Sequence, residues 1–370
     1  MERAELGSSR RLVVKIGSGV LAPDRRFDRA HLGALARVLA AAARDRELIV
    51  VSSGAIALGV ERFGWKAKPR DLPRKQAAAA VGQSLLLRAW EEALGEGRPV
   101  GQVLLTHDVL ADRQRFLHAR HTFLALLAEG AVPVVNENDT VAVDEIRVGD
   151  NDSLAALVVQ LVEADLLVIL SDVDAVYSAD PRRVKDATPL RRVGRVTPAL
   201  EAAAGGAGSA VGTGGMVTKL RAAKRCLQLG VPCVIASGRD PASLPRILAG
   251  EEVGTFFVPG PERLKGKRRW LAHVSKPRGL VGIDEGAERA LVVGKKSLLA
   301  SGVREVAGAF RVGDTVDIAA PDGRILARGL ARYAADEVRR IAGLRSAEIE
   351  RVLGYKDSDE VIHRDDLVLL

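Results

Sequence analysis

The sequence predicts an α/β fold, a three-layer αβα sandwich on a mostly parallel central sheet, followed by a small β-rich C-terminal domain. Three observations carry that prediction. From residue 10 to about 258, short β-branched runs alternate with Ala/Leu-rich helical stretches, the order that lays parallel strands side by side through helical crossovers. Those strands are apolar throughout instead of alternating with polar residues, so both of their faces are covered. After "VGTFFVPG" the texture changes to short strands and turns, which reads as a separate small domain.

In chain order, "RLVVKIG", "ELIVVSSG", "GQVLLT", "AVPVVNEND", "ADLLVILSD" and "VPCVIASG" read as strands. Helices such as "AHLGALARVLAAAARD" and "TKLRAAKRCLQLG" lie between several of them. In open parallel sheets, ligands bind beyond the carboxyl ends of the strands. Polar groups cluster at those ends, in Lys15–Gly19, Ser52–Gly54, Asn136–Asp139 and Ser171–Asp174, so four strand ends point at one crevice. In the C-terminal region "GLVGID", "ALVVG", "GDTVDIA" and "ILARGLARY" read as strands, with one helix near "ADEVRRIAG". The expected division is a catalytic domain over 1–260, a basic linker over 261–278, and a β-rich domain with its tail over 279–370.

A chain of 370 residues is too long for one compact core. Apolar residues make up 47% and charged residues 28%, ordinary for a water-soluble protein, while 4% aromatics mean a core built from Leu, Val and Ala. Neither Cys226 nor Cys233 has the spacing or company of a metal site or disulfide framework. The opening "MERAELGSSR" lacks the apolar run of a signal peptide, and acid breaks stretches such as "ALVVQLVEADLLVIL" before they reach membrane-spanning length. A cytoplasmic protein with no membrane partner is expected. The net charge of +8 invites a nucleic-acid reading, but residues 261–370 hold 21 Lys/Arg against 17 Asp/Glu, leaving 34 against 30 for the rest. Each part is +4, so neither is strongly basic. The one concentration, "ERLKGKRRWLAHVSKPR", with seven cations and one anion, fits a solvated linker.

Two glycine-rich stretches suit a phosphate. "RLVVKIGSGVLA" matches a dinucleotide fingerprint at Gly17, Gly19 and Ala22, but the next strand ends in Ser52 and Ser53 where that fingerprint needs an acid. A strand running into Lys15 and small residues instead suits an oxyanion, held by backbone N–H groups and a point charge. "GGAGSAVGTGGMVTKLRAAKR" lacks the Walker A spacing, yet its glycines lead into a helix with Lys219 in the first turn. The acids lie in "NENDTVAVDEIRVGDNDSLAA", where a general base, a metal ligand set and a helix cap at Asp152 or Ser153 are all open. Asn136, Asp139 and Asn151 suit an ammonium and a carboxylate together, which describes an amino acid. "SDVDAVYSADPR" follows a buried strand and suits a nucleoside pocket. The histidines make no metal spacing, and His107 and His118 read as structural or surface groups.

Six ordered stretches, "VVKIGSGVL", "VVSSGAIALG", "PVVNENDTVAV", "VGDNDSLAA", "LSDVDAVYSADPR" and "GTGGMVTKL", resemble the motifs of the amino acid kinase family in its bacterial glutamate 5-kinase branch. Residues 279–355 resemble the PUA domain that many such enzymes carry. Gly19 stands where the family more often has Ser, and Ala175 where Gly is usual. The resemblance implies the amino acid kinase fold and transfer of a phosphoryl group from ATP, with Mg²⁺, to the side-chain carboxylate of L-glutamate, the first step of proline synthesis. It implies inhibition by L-proline, a homo-oligomer, and hand-over of a labile product to glutamyl phosphate reductase. By similarity, Lys15 and Lys219 contact the transferring phosphoryl group and Asp152 orients both. Ser53, Asp139 and Asn151 bind glutamate. Lys15, Ser171, Asp172 and the run Thr213, Gly214, Gly215, Met216, Val217, Thr218 and Lys219 bind the nucleotide. No metal ligand is assigned.

The chemistry agrees with those roles. A glutamate side chain, with an ordinary pKa of about 4.3, is ionised at neutral pH and needs no general base. Phosphoryl transfer needs in-line positioning and cations to match spread negative charge, so Asp152 reads as an organiser of cations. Two rivals remain. One is another amino acid kinase, acting on aspartate, acetylglutamate, carbamate or a nucleoside monophosphate, against which "NEND" paired with "GDND" and the PUA-like tail argue. The other is an RNA-binding protein acting through that tail, which its lack of basic excess disfavours.

Overall fold

In a computed structural model the chain separates into two compact units, Met1–Arg263 and Leu264–Leu370. The structure describes residues 1–95, 98–106, 109, 113–141, 151–204, 215–260 and 277–370. Most of the basic linker, the body of the second glycine-rich stretch and the segment 142–150 lie outside the described residues.

The first unit runs β1 (Arg11–Ile16), α1 (Ser18–Leu21), α2 (Arg29–Ala42), β2 (Glu47–Ser52), α3 (Ala55–Arg62), α4 (Leu72–Leu94), β3 (Val100–Leu105), α5 (Arg113–Ala128) and β4 (Val132–Glu137). It continues through α6 (Asn151–Val162), β5 (Leu166–Ser171), β6 (Arg192–Val193), α7 (Pro198–Ala204), α8 (Met216–Gln228), β7 (Cys233–Ser237), α9 (Ser243–Leu248) and β8 (Thr255–Phe257). The eight strands form one sheet in the order β3-β4-β2-β1-β5-β7-β8-β6. Strands β3, β4, β2, β1, β5 and β7 are mutually parallel, and β8 turns antiparallel to β7 with β6 beside it. Sequence reading missed β6 and β8, which are only two and three residues long and carry no repeat to detect.

Two-residue periodicity builds the layers. Leu12, Val14 and Ile16 of β1 face one way, into a core shared with Leu35 and Leu39 of α2, Leu86 and Trp90 of α4 and Ile247 of α9. Val13 faces the other way, with Ile49, Val51 and Ile169, into a core shared with Leu154 and Val158 of α6 and Leu220 and Cys226 of α8. Helix starts are marked as their residues dictate. The Asp28 carboxylate accepts from the His31 amide at 2.9 Å, and that of Asp71 from the Arg74 amide at 3.0 Å. Gly54, at φ 113°, makes the left-handed turn from β2 into α3. Next to it, α3 and α4 touch backbone to backbone: a Cβ on Gly59 would lie 1.8 Å from the Ala78 carbonyl oxygen, and one on Gly82 1.7 Å from that of Ala55.

The second unit holds β9 (Gly279–Ile283), α10 (Glu285–Val292), β10 (Leu298–Leu299), β11 (Val303–Gly308), β12 (Thr315–Ala319), β13 (Ile325–Leu330), α11 (Ala335–Ile341), α12 (Ile349–Leu353), β14 (Glu360–Ile362) and β15 (Leu367–Leu369). Its sheet runs β11-β9-β12-β13-β15, and β10 pairs with β14. Val281, Ile318, Ala327, Tyr333, Val338 and Ile341 fill the core. "ALVVG", expected as a strand, is instead the end of α10 and the turn after it. The Asp284 carboxylate caps that helix by accepting from the Ala287 amide at 2.8 Å, and Glu285 and Glu288 favour its first turn. No helix among the described residues is long and apolar enough to cross a membrane.

Candidate active site

Strands β4, β2, β1 and β5 are neighbours and parallel, so their carboxyl ends open on one edge of the sheet, as the sequence reading required. Lys15 is two residues after Val13 and shares its face, which α6 and α8 cover. Asp152 lies in the first turn of α6 and Lys219 in the first turn of α8. The three side chains meet. Lys15 Nζ is 2.5 Å from Asp152 Oδ1 and Lys219 Nζ is 3.2 Å from Asp152 Oδ2, which also accepts from Thr218 Oγ1 at 2.8 Å. Asp152 is fully buried, and each lysine is 4% exposed.

Burial alone would raise the Asp152 carboxyl, but Lys15, Lys219 and the Thr218 hydroxyl more than offset it and hold the group at about 2. The amino end of α6 adds a favourable dipole. The helix-cap reading of Asp152 needs correction: Asp152 is the second residue of α6, and its oxygens engage side chains. Ser153 is the third residue of that helix, and the cap position lies outside the described residues.

Beside this cluster runs a chain of amides. Asn151 Nδ2 donates to Ser53 Oγ at 2.8 Å, to Asn136 Oδ1 at 3.0 Å and to the Ser52 carbonyl at 3.2 Å. Asn136 Nδ2 donates onward to Gln83 Oε1 at 2.7 Å, and Trp90 Nε1 donates to Ser52 Oγ at 2.8 Å. Gln83 and Trp90 escaped sequence reading, because both sit in the long helix α4, where nothing but packing distinguishes them. Asp139, half-buried two residues past β4, is pushed up to about 6 by burial, with the Lys68 ammonium opposing.

On the other side of β1, Ser171 Oγ donates to Asp172 Oδ1 at 3.0 Å. A Cβ on Gly19 would lie 3.2 Å from the Asp172 carboxyl carbon, so glycine there leaves that side chain its space. Ala175 is fully buried. Of the glycine-rich run, Thr213 and Gly214 lie outside the described residues. Gly215 precedes α8, Met216 and Val217 are half-buried in its first turn, and Thr218 and Lys219 reach Asp152. His107 lies outside the described residues and His118 is exposed on α5. Cys226 and Cys233 are buried free thiols.

Two ammonium groups converging on one carboxylate at the carboxyl ends of parallel strands suit a phosphotransferase, whose migrating group carries negative charge. The chain is a member of the amino acid kinase family, whose model matches residues 10–237. The PUA domain model matches residues 279–353. A glutamate 5-kinase of Myxococcus xanthus is 54% identical over 370 residues, covering 100% of this chain and 98% of its own. The glutamate 5-kinase of Anaeromyxobacter dehalogenans is 56% identical, covering 100% of this chain and 99% of its own, and that of Geobacter sulfurreducens is 51% identical with both chains covered in full.

Proposed function

We propose that the protein is a glutamate 5-kinase, transferring the γ-phosphoryl group of ATP to the side-chain carboxylate of L-glutamate. A carboxylate oxygen attacks the γ-phosphorus, the bond to the β,γ-bridging oxygen breaks, and ADP leaves with L-glutamyl 5-phosphate formed. No proton has to move. The observation that carries this reading is the Lys15–Asp152–Lys219 cluster abutting the Ser53–Asn136–Asn151 chain at the start of one helix, α6. The full-length likeness to glutamate 5-kinases supports it.

In this reading Lys15 and Lys219 follow negative charge as it spreads in the transition state, and Asp152 holds both at the point of transfer. Ser53, Asp139 and Asn151 take the amino acid. Ser171, Asp172 and the segment Thr213–Lys219 take the nucleotide, with Lys15 at its phosphates. Mg²⁺ neutralises phosphate charge when bound. Among the described residues no group of three or more His, Cys, Asp or Glu side chains is placed to hold a metal ion.

L-proline acts as the end-product inhibitor in the amino-acid pocket, the chain works as a homo-oligomer, and the labile acyl phosphate passes to glutamyl phosphate reductase. Residues 1–260 form the catalytic domain, 261–278 a linker and 279–370 the PUA-like domain with its tail. Measuring ADP release with L-glutamate, aspartate, acetylglutamate, carbamate and a nucleoside monophosphate as acceptors tests the reaction, and a better acceptor than L-glutamate overturns it. A chain ending at Pro259 is expected to keep kinase activity. A folded but inactive product would put part of the site in the C-terminal domain.

A further inference from the structure

The amide chain beside Asp152 has a direction, and one atom sets it. The Ser52 carbonyl can only accept, so the Asn151 side-chain nitrogen, 3.2 Å away, must be the donor. Asn136 then presents its oxygen to Asn151, at 3.0 Å, and its nitrogen to Gln83, whose Oε1 accepts at 2.7 Å. The cost of this polarity appears at the far end. Gln83 Nε2 is a buried donor without a partner among the described residues, and turning the Gln83 amide over would set two donors face to face. Gln83 is 8% exposed and Asn136 4%, so neither reorients through solvent. The adjacent Gly82, in backbone contact with α3, fixes how far the helix carrying Gln83 stands from α3.

We propose that Gln83 is a positioning residue for the amino-acid substrate: by accepting the Asn136 hydrogen that points away from Asn151, it holds Asn136 in the orientation imposed from the Ser52 end, in which Asn151 offers its carbonyl oxygen to the substrate's α-ammonium group. This rests on the reading of Asn151 as an amino-acid ligand given above. The two hydrogens on Asn151 Nδ2 already serve three acceptors, Ser53 Oγ, Asn136 Oδ1 and the Ser52 carbonyl. The atom that Asn151 has left for a ligand is therefore an acceptor. An acceptor suits an ammonium and repels a carboxylate, so the chain selects the α-amino group of the acceptor substrate.

The test uses two variants of the full chain. Gln83→Leu keeps bulk and removes the acceptor, whereas Gln83→Glu keeps an oxygen toward Asn136 in either protonation state. In Gln83→Leu, the KM for L-glutamate is expected to rise about tenfold, the loss of roughly one hydrogen bond to a charged group, with kcat and the ATP KM nearly unchanged. Gln83→Glu should restore the L-glutamate KM to within about threefold of wild type. Glutarate, which has both carboxylates but no ammonium, should compete with L-glutamate with the same Ki in Gln83→Leu as in wild type. A wild-type KM in Gln83→Leu, equal impairment of both variants, or a glutarate Ki that rises with the L-glutamate KM each overturns the role. The wild-type chain is the control. If it fails to phosphorylate L-glutamate, the proposed reaction falls; if it succeeds and Gln83→Leu matches it, only the positioning role falls.

Discussion

Asp152 opens α6 and Asp139 follows β4, and burial pushes both carboxyls the same way. One ends at about 2 and the other at about 6. The difference is company. Asp152 has two ammonium groups within 3.2 Å and a hydroxyl at 2.8 Å, whereas Asp139 has the more weakly felt charge of Lys68. The Lys15–Asp152–Lys219 cluster is thus electrostatically assembled before any ligand arrives, as preorganised transition-state stabilisation requires if it serves the phosphoryl group as proposed. In the proposed reading Asp139 lies at the amino-acid end, where the ammonium of the substrate would supply the stronger cation that Asp139 lacks.

The largest effect is expected from Asp152→Asn, which keeps the shape and strips the charge that gathers two buried lysines. Removing one partner of a buried ion pair costs about 3–5 kcal/mol, so urea unfolding should show a substantial loss. Activity should fall by about 10³-fold or more. In the wild type the low carboxyl keeps its contribution to stability above the ordinary carboxylate range and loses it only as pH falls toward about 2. The kcat at saturating substrate should accordingly show no acidic limb from Asp152 near neutrality. Such a limb, absent in Asp152→Asn, would restore proton abstraction as its role.

Lys219→Ala comes next. It removes one of two cations, and kcat should fall by roughly 10²-fold with the L-glutamate KM little changed. A wild-type kcat would detach α8 from the chemistry.

Asp139 gives a smaller effect with a distinctive pH profile. Its carboxyl takes up a proton below about 6, and only the carboxylate attracts an ammonium. The kcat/KM for L-glutamate should therefore fall by about tenfold in all as pH drops below that point and then level off, while kcat stays level. In Asp139→Asn this limb should vanish, with KM raised about tenfold at pH 8. A limb that persists in the variant belongs to another group.

The smallest effect is on stability. A raised carboxyl favours the folded chain when protonated and loses that contribution as pH rises from the ordinary Asp range through about 6. Asp139→Asn should match the wild type in thermal unfolding near pH 4 and exceed it slightly at pH 8.

The sequence made the Lys15–Asp152–Lys219 cluster legible for a local reason. Lys15, Asp152 and Lys219 each terminate a strand or open a helix, positions that short motifs mark. Even so, it took Asp152 for a possible cap, because a shift of two residues along a helix start leaves no trace in composition. The supports were not legible. Gln83 meets Asn136 across 53 positions and Trp90 meets Ser52 across 38, and helical periodicity describes both merely as inward-facing. In the second unit "ALVVG" looked like a strand because its β-branched pair, Val292 and Val293, ends a helix whose signal, Asp284 with Glu285 and Glu288, lies four to nine residues earlier.

The contact between Gly59 and Gly82 reaches beyond packing. Neither residue has a side chain, yet together they set how far Gln83 stands from Asn136 and how α3 follows the Ser53–Gly54 turn. Even a methyl group at either would wedge two backbones apart and be felt at the amino-acid pocket. A survey of mutational tolerance should rank these two positions beside Lys15 and Asp152, although neither offers a side chain. An invariance that looked chemical would there be purely geometric.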